Sequence, residues 1–230
     1  YFYSTANIVT PMTDWNRCWS INSSYAKSLS GNITLSYYGL SYSAFYSHKS
    51  ITDINLPNAH YIEDSVFYDC KSLKTASFPM LETWNYTLND CNSVSKIYAP
   101  KVQLTKDTLR VCINSSYLSW LNMETTKVAP PNMCYRCSNL SSLFVNGLVS
   151  AYKDAFNGCS KLTSVSLPNL EFADKGAFKT VPIIDLSLPK LKYAGENAFN
   201  TDTNSRPKTL YMPNIEYIGN SAFYRYANSS

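Results

Sequence analysis

The sequence predicts a right-handed solenoid of parallel strands, with one short strand in each coil of about 21 to 25 residues and short helical or irregular segments outside it. Three series of residues in one phase predict this. A proline closes each strand-like unit, an aromatic or apolar residue follows nine or ten positions later, and a cysteine often stands three positions after that.

The proline of an x-Φ-x-Φ-Pro unit, with Φ apolar, recurs at Pro57, Pro79, Pro100, Pro168, Pro189 and Pro213. Glu124 and Asn146 fill the same slot in between, so the spacings are 22, 21, 24, 22, 22, 21 and 24 residues. That makes eight units, with a degenerate ninth at Asn32–Ser36. Alternation within each unit marks a strand with one apolar face. The inward pairs are Ile54/Leu56, Ala76/Phe78, Ile97/Ala99, Leu121/Met123, Leu143/Val145, Val165/Leu167, Ile184/Leu186 followed by Leu188, and Leu210/Met212. Strict alignment on Pro189 selects Leu186 and Leu188 instead. A proline cannot continue a strand ladder and turns the chain outward.

Beyond the proline, a bend carries a further inward residue, such as Leu81, Leu170, Leu191 or Ile215. A helical turn is then expected to press a small residue and a large one into the outer side of the core. The large residues are Phe45, Phe67, Leu88, Leu109, Cys134, Phe156, Phe178, Phe199 and Phe223. The cysteine series is Cys70, Cys91, Cys112, Cys137 and Cys159, expected as a ladder with one rung per coil and Cys18 as its lowest rung. One unit could bury almost nothing alone; stacked units share a continuous core.

Residues 1–31 break the period and carry Trp15, Trp19 and three aromatics at the start, so they are expected to cap the first coil of a solenoid spanning 32–230. The chain starts without Met and closes with Phe223 in register, which fits a fragment of a longer protein.

Composition narrows the function. At 45% hydrophobic residues the 230-residue chain folds, and its net charge of +4 is spread without runs, which gives no nucleic-acid footprint. No apolar run is long enough to span a membrane, and no long amphipathic helix lies on one. Seven cysteines could form disulfides or, through Cys134 and Cys137, a metal site. Because both occupy repeat slots, reduced core thiols are expected, with one disulfide or zinc as the alternatives. The histidines, His48 and His60, are expected at turns, without a nucleophile in a matching pattern. No catalytic residue, cofactor or metal is assigned. Six glycosylation sequons begin at Asn22, Asn32, Asn85, Asn114, Asn139 and Asn228.

Strand periodicity also fixes the outward side chains, at two and four residues before each proline slot. Most are small or polar. Lys96, Tyr98, Trp120, Asn122 and Phe144 differ and form the candidate binding patch, unless a register shift between 100 and 146 buries some of them. Tyr61, Trp84, Tyr86, Tyr117, Tyr135, Tyr193 and Tyr217 on the loop side rank second.

The stretches LTSVSLPNLEFADKGAF, NIEYIGNSAFYRYANSS and VFYDCKSLKTASFPMLE resemble leucine-rich repeat proteins of the BspA-like or Treponema pallidum type, from about residue 32 to 230. The coils are slightly short for that pattern, and it decays between 100 and 146. The resemblance implies a secreted or cell-surface protein, in a non-catalytic adhesion or recognition role towards an extracellular host protein, peptide or glycan. A monomer is expected. A structural spacer presenting another domain is the alternative role.

Overall fold

The structure is a computed structural model, and it describes residues 7–8, 29–36, 38–40, 43–84, 87–88, 90–109, 111–112, 115–201 and 209–224. The chain forms two compact units, Tyr1–Val102 and Gln103–Ser230. Each is a right-handed parallel β-solenoid.

The first unit carries β1 (Asn7–Ile8), β2 (Gly31–Leu35), β3 (Gly39–Leu40), β4 (Ile51–Asn55), β5 (Tyr61–Ile62), β6 (Thr75–Ser77) and β7 (Lys96–Tyr98). β1, β2, β4, β6 and β7 lie side by side in that order, all parallel, and β3 pairs with β5. Apart from β1, residues 1–28 lie outside the described residues, and so does Cys18.

The second unit carries β8 (Trp120–Asn122), β9 (Val128–Ala129), β10 (Ser142–Phe144), β11 (Ser150–Ala151), β12 (Phe172–Ala173), β13 (Asp185–Ser187), β14 (Tyr193–Ala194), β15 (Thr209–Tyr211) and β16 (Tyr217–Ile218). β8 pairs with β10, and β13 with β15. A second ladder runs β9, β11, β12, β14, β16. These two-residue strands stand four positions beyond the proline slot, where the sequence suggested only a bend. Their inward residues Ala129, Ala151, Ala173 and Ala194 are fully buried, as is Ile62 at the same position of β5.

The inward face strands behave as alternation requires. Ile54, Leu56, Ala76, Phe78, Ile97, Ala99, Leu121, Met123, Leu143 and Val145 are all buried. Leu186 and Leu188 are buried too, whereas Ile184 is 39% exposed, because the register set by Pro189 leaves it outside the alternation. The segment Thr163–Leu167 keeps its phase but forms no strand, and Val165 is half-buried. Its one bond to the next coil, Ile184 N–H to the Thr163 carbonyl at 3.4 Å, is at the long limit for a hydrogen bond. Leu210 and Met212, in the last described coil, are half-buried.

On the outer side, aromatic rings stack coil upon coil. Phe45 lies on Phe67 with centroids 5.3 Å apart; Phe156, Phe178, Phe199 and Phe223 follow at 5.0, 5.1 and 5.2 Å, all nearly parallel. Burying each ring contributes about 1.5–3 kcal/mol, and each stacked pair about 0.5–1.5 more.

No helix forms around these rings. The backbone is left-handed two residues before the ring slot, at Ser43, Ser65, Asn132, Asp154, Gly176, Asn197 and Ser221. It is left-handed again two residues after, at Ser47, Asp69, Asp90, Arg136, Gly158 and Thr180. Positive φ at every fourth residue cannot belong to a right-handed helix, and short polar residues tolerate it best. The outer turn is therefore irregular rather than helical.

The stretch around 100–115 departs from the sequence expectation. Leu109 is 54% exposed, while Val111 and Cys112 are buried in its place. The Cys112 N–H donates to the Met133 carbonyl at 2.9 Å, just as the Cys134 N–H donates to the Ala155 carbonyl and the Phe156 N–H to the Ala177 carbonyl. Cys112 thus occupies the ring slot, and Ser115 takes the cysteine slot three residues later.

Candidate functional site

Parallel pairing places outward residues opposite one another in columns. In the first unit Asp53, Thr75 and Lys96 share one column, and Asn55, Ser77 and Tyr98 the next. Lys96 is exposed and Tyr98 is 38% exposed. Beside them the Asp53 carboxylate accepts hydrogen bonds from the hydroxyls of Thr75 and Thr52, at 2.5 and 2.7 Å.

In the second unit Trp120 stands opposite Ser142, and Asn122 opposite Phe144. The Trp120 and Phe144 rings meet with centroids 5.5 Å apart at 50°, Trp120 half-buried and Phe144 39% exposed. Asn122 is half-buried, and its Oδ1 accepts the Glu124 N–H at 3.2 Å, which pins the amide at the strand end. The register holds through this pair of strands. The five predicted residues thus fall as two groups, two on the first unit and three on the second.

The loop-side aromatics divide. Trp84 is buried with its Nε1 unpartnered, so it belongs to the core, and Tyr86 lies outside the described residues. Tyr117 is exposed, and Arg136 lies over the Tyr135 ring at 5.1 Å. Tyr61 packs over Gly39. Phe172, Tyr193 and Tyr217 stack at 4.9 and 4.7 Å, and Tyr152 leans on Phe172. Phe172 was not singled out in the sequence, although Tyr61, Phe172, Tyr193 and Tyr217 all stand four residues after a proline slot.

Reactive chemistry is muted. The thiols of Cys70, Cys91, Cys137 and Cys159 each donate to the carbonyl of the ring-slot residue one coil back, which is Phe45, Phe67, Cys112 and Cys134 respectively. All six described cysteines are buried thiols. The hydrogen bond from Cys70, and burial, push the Cys91 thiol far up. Hydrogen bonds with Cys112 and Cys137, and burial, do the same to Cys134, and burial, helped by the neighbouring Cys137 and Cys112 thiols, to Cys159. A thiol held protonated is a poor nucleophile.

His48 is buried in the cysteine slot of its coil, where its Nδ1 accepts the N–H groups of Ser50 and Ile51, both at 3.3 Å. This ring ties a turn rather than facing solvent. His60 stacks on Tyr38 and reaches Glu82 at 3.0 Å. Among the described residues no group of three or more His, Cys, Asp or Glu could hold a metal ion, and no helix is long and apolar enough to cross a membrane.

A family model agrees with this geometry. The model of the BspA type leucine rich repeat region matches residues 38–146 and 127–230, with six copies. Among solved structures, the chain is similar to a leucine-rich repeat protein from Eubacterium ventriosum, at 19% identity and a TM-score of 0.43, over 85% of this chain and 42% of that one. The chain therefore spans less than half the length of that protein. None of the curated proteins compared with it matches.

Proposed function

The chain belongs to the BspA-type leucine-rich repeat family, and from that membership we propose that it is a non-catalytic recognition or adhesion module displayed on a cell surface. Its partner is an extracellular host protein, peptide or glycan, met through the strand face. The Trp120–Phe144 pair carries this reading: two large rings, half-exposed together, on a face whose other outward residues are mostly small and polar. Aromatic pairs of this kind anchor interfaces, because they bury much apolar area at little entropic cost. Asn122 supplies a fixed amide beside them. Lys96 and Tyr98 supply a cation and a phenol on the first unit's face.

The likeness to the Treponema pallidum type within the family rests on the proline, Ala-Phe and cysteine slots. Residues 1–31 are read as the cap of a module within a larger surface protein. A screen of glycans and host extracellular proteins with the native chain and with Trp120→Ala tests the reading. A hot-spot tryptophan is expected to cost about 2 kcal/mol, or roughly thirtyfold in affinity. Equal binding of every hit by both proteins would remove Trp120 from the site.

A further inference from the structure

The second unit has an open groove of about 530 Å³ beside the proline turns, lined by residues of four successive coils. The first residue beyond each proline slot is Thr125, Gly147, Asn169 and Lys190 in turn. At Gly147 the main chain lies so close to the preceding coil that a Cβ would meet the Glu124 carbonyl oxygen at 2.9 Å, so the groove floor there is backbone.

The walls combine aliphatic surface with fixed polar groups. Glu124 and Glu171 offer carboxylates, and Lys127 and Lys190 offer ammonium groups. Several groups are held in place from coil to coil. Asn146 Nδ2 donates to Glu124 Oε1 at 2.6 Å, Lys190 Nζ to Asn169 Oδ1 at 2.7 Å, and Lys192 Nζ to Glu171 Oε2 at 3.0 Å. The Lys127 ammonium has no partner among the described residues.

This lining selects by chemistry. A strongly anionic ligand would be repelled by Glu124 and Glu171, and a strongly cationic one by Lys127, Lys190 and the adjoining Lys192. A purely apolar one would leave the carboxylates, ammonium groups and amides of the walls unpaired. A peptide could not pair with the floor, because its backbone is already engaged: Gly147 N–H with the Glu124 carbonyl, Val149 N–H with that of Lys127, and Glu171 and Phe172 N–H with that of Val149. What fits is an uncharged ligand rich in hydroxyls, each able to donate to a carboxylate or amide oxygen and to accept from an ammonium. The volume lies within the range of small-ligand sites.

We propose that this groove is a binding site for a neutral oligosaccharide. It is separate from the Trp120–Phe144 face and stands without it. The test is a titration of isotope-labelled protein with uncharged tri- and tetrasaccharides of glucose, galactose and N-acetylglucosamine, followed by amide chemical shifts. At least one sugar should shift the amides of Lys127, Gly147, Val149 and Glu171 together in a saturable way. The Lys127→Ala/Glu171→Gln double variant, altered at two surface positions, should weaken that binding at least about fivefold, the worth of one hydrogen bond. Trp120→Ala should leave it unchanged. Absence of shifts at these amides with every sugar, shifts produced only by charged peptides, or equal affinity in the double variant would each overturn the assignment.

Discussion

The thiol of Cys137 donates to the main-chain carbonyl of Cys112, one coil back, at 2.9 Å, and that carbonyl also accepts the Ser115 N–H. The cysteine slot therefore links neighbouring coils through a side chain, in addition to filling volume.

This link can be separated from packing by substitution. Cys137→Ala should destabilise the protein by about 1–2 kcal/mol, through lost volume and a lost hydrogen bond. Cys137→Ser keeps a donor of similar size and should cost less. Urea unfolding of both variants decides the matter; equal losses would mean that the thiol hydrogen bond contributes nothing.

Alkaline pH should expose the same ladder. Cys134 and Cys159 have thiols raised above their ordinary range in the folded chain, so the folded state keeps protons that the unfolded state releases. Their contribution is fully present below the unfolded thiol value of about 8.5 and is lost as pH rises above it, by about 1.4 kcal/mol per pH unit for each thiol. The midpoint of thermal unfolding should fall steeply between about pH 8.5 and 10. Replacing Cys159 by Val should make that fall shallower.

The two aromatic ladders should differ in weight. Phe178 is fully buried between Phe156 and Phe199, so Phe178→Ala should cost about 3–5 kcal/mol. Tyr217 also stacks on a neighbour but is about half exposed, and Tyr217→Ala should cost about 1 kcal/mol or less. Similar losses in denaturant unfolding would contradict the burial argument.

Gly39 and Tyr61 should be coupled. A Cβ at Gly39 would fall inside the Tyr61 ring, so Gly39→Ala should cost about 1–3 kcal/mol by overpacking. Tyr61→Ala in the same chain should recover most of that loss. A double-mutant cycle with no coupling energy would show that the ring simply moves aside.

Much of this architecture is legible in the letters, because proline, phenylalanine and cysteine each do one thing at one place in a coil. The inward pairs from Ile54 to Val145 follow from alternation alone, and the outward columns from the same rule. Counting from Pro100 puts Cys112 in the wrong column, because the 24-residue step to Glu124 hides two or three extra residues ahead of the ring slot. The adjacent apolar pair Val111–Cys112, matching Met133–Cys134 and Ala155–Phe156, is the signal that places it correctly. The second ladder was missed because two-residue strands have no period to read. Trp84 looked like a loop residue since nothing in its neighbours says that the bend folds inward. Trp120 and Phe144 could be named as outward residues, but how their rings meet depends on side-chain geometry that one-letter spacing does not contain.

The left-handed turns beside the ring slots recur at one phase from coil to coil, and the main-chain bonds they frame run only to the adjacent coil. A gain or loss of one residue between the two turns would take that coil's ring out of the stack. Duplicating or excising a complete coil would disturb nothing but its two immediate neighbours. Genes for such a chain can therefore lengthen or shorten by cassettes, carrying a tested surface to a new reach without redesigning the joint.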